Sequence, residues 1–93
     1  MLKLNLDSER AKQILKVMRR RKWWSDLEVR DAYFNKHGVW FKDATMSRYL
    51  RAMRQSNLLL DADRHRRMSN GKSKLIKCFT IQDSAYRLLF LAA

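Results

Sequence analysis

The sequence predicts an α+β fold, with three helices, a β-hairpin and a closing helix, and three observations carry the prediction. Ala11, Ile14, Leu15 and Met18 stand at i, i+3, i+4 and i+7, as do Met46, Tyr49, Leu50 and Met53, which is the spacing of one buried helical face. Asn70-Gly71 lies between two extended runs, the strongest short-range signal for a two-residue hairpin. With no proline, only two glycines and 46% hydrophobic residues, the chain has core material and no linker, so residues 1–93 read as a single domain.

The first helix is expected near 7–22, capped by Asp7 or Ser8 and running out in the cations Arg19 to Lys22. Leu4 and Leu6 precede it as a short extended segment or a staple. A second helix, near 25–37, opens on "SDLE", Ser25 to Glu28, whose S-x-x-E form is a capping box. Val29, Ala32 and Tyr33, with Leu27 and Phe34, give it an apolar side, and Gly38 can end it in the left-handed conformation. Val39 to Phe41 then form an extended connector, with Trp40 expected in the core.

The third helix is expected near 43–56, with Asp43 as cap and Asn57 tolerating the left-handed position beyond its end. Centring the hairpin, near 58–81, on Asn70 and Gly71 pairs Leu60 with Ile81, Ala62 with Phe79, Arg64 with Lys77 and Arg66 with Leu75. Like charges then face each other at Arg64–Lys77 and Arg67–Lys74, an arrangement that a phosphate backbone would relieve. "DSAYRLLFLAA" reads as a helix near 83–92, capped by Asp83 and apolar on most faces.

Charge narrows the function. Lys and Arg number 21 against 9 Asp and Glu, a net +12, and the six basic residues between Arg64 and Lys77 are interrupted by no acid. So large a surplus of one sign repels itself in the folded state and is most simply understood if a polyanion neutralises it. The single Cys78 cannot form an internal disulfide, packs as a small apolar group and fits a reducing interior. Residues 1–10 lack the apolar run of a signal peptide and no segment approaches a membrane span, so no membrane association and a cytoplasmic location are the expectation.

On the third helix, a rotation of about 100° per residue gathers Ala44, Ser47, Arg48, Arg51 and Gln55 opposite the apolar stripe. Arg48 and Arg51 each offer a fork of donors suited to guanine O6 and N7, and Gln55 can pair with adenine N6 and N7. Thr45 and Ser47, near the helix start, can donate to a phosphate. In the hairpin, Arg64, Arg66, Arg67, Lys72 and Lys74 are cations placed to add affinity with little reading of sequence.

The order of elements and the stretch "TMSRYLRAMRQSNLLL" resemble the winged helix-turn-helix domains of bacterial and phage regulators. Thr45, Met46, Ser47, Arg48, Leu50, Met53, Leu58 and Leu59 occupy the places of that superfamily's recognition-helix pattern, with Asn57 where a glycine is common. The resemblance spans residues 7–81 in outline and is motif-like over 45–59. It implies a three-helix core with a hairpin wing and a C-terminal helix, the third helix in the DNA major groove and the wing on the backbone or minor groove. The partner it implies is double-stranded DNA, and the role that of a small transcriptional regulator.

Two readings compete with sequence-specific regulation. The same wing and charge would serve a low-specificity architectural or replication–recombination accessory protein, and Leu88, Leu89 and Leu91 would serve a protein-interaction adaptor or a homodimer through the C-terminal helix. Enzyme chemistry finds no footing in the motifs. His37 and His65 are far apart, no C-x-x-C or H-E-x-x-H spacing occurs, and Asp61 and Asp63 are too few for a metal site, so neither metal nor cofactor is expected. The two acids are expected to offset nearby arginines. Trp23 and Trp24 are expected in core or hinge packing.

Overall fold

The protein is described from a computed structural model, over residues 8–20, 22–42 and 44–91. Helix α1 (Glu9–Val17) starts where the Ser8 hydroxyl accepts the Ala11 N–H at 3.2 Å, so Ser8 is the cap; Asp7, Leu4 and Leu6 lie outside the described residues. It ends well short of residue 22. The Arg20 carbonyl accepts the Trp24 indole N–H at 3.1 Å, turning the chain into the short strand β1 (Trp24–Ser25).

Helix α2 (Asp26–His37) carries both limbs of the expected capping box. Ser25 Oγ accepts from the Glu28 N–H at 3.2 Å, and Glu28 Oε1 accepts from the Ser25 N–H at 3.1 Å. Gly38 closes the helix at φ 71°, its N–H donating to the Phe34 carbonyl at 2.8 Å. Beyond it, Val39 to Phe41 form no strand. Phe41 turns inward at 3% exposure while Trp40, expected in the core, is 46% exposed. The indole instead meets Phe34 edge-on at 6.0 Å, with the Arg30 guanidinium 5.4 Å from its ring.

Helix α3 (Thr45–Gln55) buries Met46, Leu50 and Met53 completely, as the spacing requires. Its cap position is Ala44, in a left-handed conformation at φ 67° and with no side-chain hydrogen bond; Asp43 lies outside the described residues. At the other end the Leu58 N–H donates to the Met53 carbonyl at 2.9 Å and the Asn57 N–H to the Arg54 carbonyl at 3.1 Å. This is a Schellman motif with Asn57 at φ 63°, the place the sequence marks for it.

Strands β2 (Leu59–Arg67) and β3 (Ser73–Ile81) form the hairpin, and β1 joins β3 to give an antiparallel sheet of order β1-β3-β2. The register departs from expectation by one residue. Leu60 faces Thr80, Ala62 faces Cys78, Arg64 faces Ile76 and Arg66 faces Lys74. The turn is the cause: the Met68 N–H donates to the Lys72 carbonyl at 2.7 Å and the Gly71 N–H to the Met68 carbonyl at 2.9 Å. Residues 69–71 therefore form a three-residue loop with Gly71 left-handed at φ 84°, a turn that shifts the pairing by one residue from a two-residue loop centred on Asn70-Gly71. The expected Arg64–Lys77 and Arg67–Lys74 repulsions are gone, since Lys77 faces Asp63 and Arg67 faces Ser73.

Leu59, Phe79 and Ile81 sit at the hairpin base and join Ile14, Leu15, Met18, Val29, Tyr33 and the α3 stripe in one core. Helix α4 (Asp83–Tyr86) runs into a wide π-type turn, Arg87–Leu91. Gln82, not Asp83, holds its cap position, and the Gln82 N–H ties this end to the Leu58 carbonyl at 3.0 Å. Tyr86 and Phe90 pack on the core while Leu88, Leu89 and Leu91 stay exposed. No helix among the described residues is long and apolar enough to cross a membrane. Four helices and a three-stranded antiparallel sheet in this order are compatible with a winged helix.

Candidate nucleic-acid interface

Burial of Met46, Leu50 and Met53 fixes which way the rest of α3 points. Arg48, Arg51 and Gln55 are exposed, and their side chains make no hydrogen bond or ion pair with any described residue. Two guanidiniums and an amide are thus presented outward on one helix face. Thr45 is half-buried in the first turn. Ser47, expected to face a phosphate, is taken up internally: its hydroxyl donates to Asp26 Oδ2, pinning α3 to the start of α2.

Directly opposed residues of an antiparallel pair share a face, so the observed register sorts the hairpin cations into two sets. Asp61, Asp63, His65 and Arg67 share one face with Phe79, Lys77 and Leu75, and this is the face toward α3, because Asp61 accepts from Arg54 Nε at 2.9 Å. Arg64, Arg66, Ile76 and Lys74 lie on the opposite face. Lys72 is in the loop, exposed like Arg67 and Lys74. The expected wing cations therefore do not form one surface.

Arg51 and Lys77 do converge. Together with Asp26, Ser47, Ile76 and Phe79 they line a hollow of about 200 Å³ where α3 meets the hairpin. Lys77 belongs to the same basic run but is not among the residues the sequence singles out for DNA; alternation along β3 puts it on the Phe79 face, and the observed register sets it opposite Asp63 instead of Arg64. Its ammonium is 3.8 Å from Asp61 Oδ2 and 60% exposed, so it remains available to an outside anion. Hydrogen bonding from Arg54 holds the Asp61 carboxyl below its ordinary value, with Lys77 adding to the effect. Asp61 thus offsets arginine and lysine, as expected of it.

Two hairpin arginines are occupied. Arg64 stacks its guanidinium over Trp23, 5.8 Å from the ring centre. Arg66 spends all three nitrogens inside the protein: Nε donates to Glu28 Oε1 at 2.9 Å, Nη2 to the Trp23 carbonyl at 2.8 Å and Nη1 to the His65 carbonyl at 3.1 Å. Arg66, expected to meet a phosphate, is thus engaged within the protein. The hydrogen bond to Glu28 raises the Arg66 pKa further above its already high value. Cys78 is buried and burial pushes its thiol pKa up, in keeping with an inert apolar role. Among the described residues no group of three or more His, Cys, Asp or Glu could hold a metal ion.

No family model and no curated protein matches this chain. A solved structure shares the fold. It is the crystal structure of a proposed transcriptional regulator from Thermoplasma acidophilum, similar at a TM-score of 0.63 over 85% of this chain and 74% of that one. At 12% identity the likeness is one of backbone arrangement. It extends over most of the helix and hairpin framework on which the outward-facing cations stand.

Proposed function

We propose that this chain is a small winged-helix regulator that binds double-stranded DNA by sequence and acts by binding, without catalysis or cofactor. The observation that carries the reading is the juxtaposition of Arg48, Arg51 and Gln55, all unengaged on the outer face of α3, with Lys77 at the hairpin base beside Arg51. In the major groove the two guanidiniums read guanine edges and the amide reads adenine. Thr45 at the helix start and the cations Arg67, Lys72 and Lys77 contact phosphates and set the register. The shared fold with a proposed transcriptional regulator supports the same role.

Selection from a randomised duplex pool tests the proposal. The expected result is one enriched motif, bound with an affinity that falls on the order of a thousandfold between about 50 and 200 mM salt if roughly six phosphates are contacted. Salt-dependent binding with no enriched motif would favour the low-specificity accessory reading, to which cations on both hairpin faces are well suited.

A further inference from the structure

We infer that Arg66 and Glu28 form a clamp that positions the wing, so that an acidic residue on α2 supports the binding of an acidic polymer. The inference rests on the DNA-binding reading for its consequence and on the contacts of Arg66 with Glu28 and Trp23 for its geometry. Beyond Asp63 the hairpin projects from the core, and between its outer end and the first turn of α2 lies a hollow of about 500 Å³ bordered by Leu27, Arg30, Arg67, Met68 and Ile76. Packing there is open. The polar ties crossing it belong to Arg66, whose fork holds Glu28 and the Trp23 carbonyl at once.

Glu28 is fixed from its own side. Its Oε1 also accepts the Ser25 N–H at 3.1 Å in the capping box, and Lys22 Nζ stands 3.6 Å from Oε2. The carboxylate is therefore held by the helix it caps, and through Arg66 it fixes the hairpin to that helix. Because Ser47 of α3 is hydrogen-bonded to Asp26 in the same turn of α2, α3 and the wing are both referenced to one point of the fold. Arg66 is a positioning residue on this account, and the angle between wing and α3 depends on it.

Glu28→Gln separates the clamp from the cap, since glutamine also completes a capping box but carries no charge for Arg66. In the free protein, ¹⁵N relaxation of the variant should show lowered order parameters at the hairpin tip with α2 amides unchanged; a tip as ordered as in the parent protein overturns the clamp whether or not DNA is bound. With a selected duplex long enough to meet the wing, Glu28→Gln should weaken binding about tenfold, although it removes a negative charge. A duplex cut back to the α3 contacts should show no difference. Tighter binding by the variant, the simple electrostatic outcome, would overturn the inference.

Arg66→Ala should give the same loss with the salt slope unchanged. A slope lowered by about one would instead make Arg66 a direct phosphate ligand and reject the clamp. Failure of the parent protein to bind any duplex would count against the proposed function and leave the relaxation result to decide the clamp.

Discussion

Arg48 and Arg51 on α3 and Arg64 and Arg66 on the hairpin differ in what holds them, although all four sit in basic, surface-facing elements. Arg48 and Arg51 extend from a helix whose inner stripe is wholly buried, and no described residue engages them. Arg64 and Arg66 extend from a ribbon with little burial beyond its base, and both are held, one by Trp23 and one by Glu28. Rigid support leaves Arg48 and Arg51 without an internal duty, whereas Arg54, at the end of the same helix, is tied to Asp61 of the hairpin. Where packing is thin, the cation itself is recruited as support, so counting charge does not reveal which charges are available.

The largest effect that would probe this contrast is loss of the support beneath α3. Leu50→Ala should destabilise the protein by about 2–5 kcal/mol, since the side chain is fully buried, whereas Leu75→Ala on the hairpin, 56% exposed, should stay within about 0.5 kcal/mol. Urea unfolding of the two variants measures both. Comparable losses would mean that the hairpin is packed as firmly as the helix, and the contrast would fail.

Next in size is the difference between reading and anchoring. Arg51→Ala should cost about 1–3 kcal/mol at one base position and relax the preference there. Lys77→Ala, across the shared hollow, should weaken binding to all duplexes alike and lower the salt slope by about one. Titration of each variant against single-base variants of the selected site distinguishes the two. Equal behaviour of the two variants would merge helix and wing into one nonspecific surface.

Features decided within a few residues of chain were legible in the sequence. Ser8, the Ser25–Glu28 box, Gly38 and Asn57 each mark a helix end by local hydrogen bonding or left-handed backbone, and each does so in the structure. The buried stripe of α3 was legible for the same reason, since helical spacing alone orients it. The hairpin was legible as an element, but its register was not. A glycine serves two- and three-residue turns equally well, and only the Met68–Lys72 hydrogen bond tells them apart. That one-residue difference sets Lys77 opposite Asp63 instead of Arg64. The internal partners of Ser47 and Arg66 were not legible, because Asp26 and Glu28 lie 21 and 38 residues away in sequence.

The smallest expected effect concerns acid. Burial pushes the Glu28 carboxyl upward, but hydrogen bonds from Arg66 and from the backbone and hydroxyl of Ser25 outweigh it and hold the group below its ordinary value of 4.5. A depressed folded-state value means that the unfolded chain binds the proton more readily, so the stabilisation is complete above pH 4.5 and is lost as pH falls through the lower folded value. Arg66 stays charged throughout, so protonation of Glu28 weakens its half of the hold and leaves Arg66 on the Trp23 carbonyl. Acid should therefore loosen the hairpin tip while the α3 amides, anchored by buried apolar groups, hold their shifts, and Glu28→Gln should remove the Glu28 share of that loosening. An acid titration followed by ¹H–¹⁵N spectra resolves the two regions. Simultaneous loss of α3 and tip signals would show that acid acts on the whole core and that the wing has no separate hold.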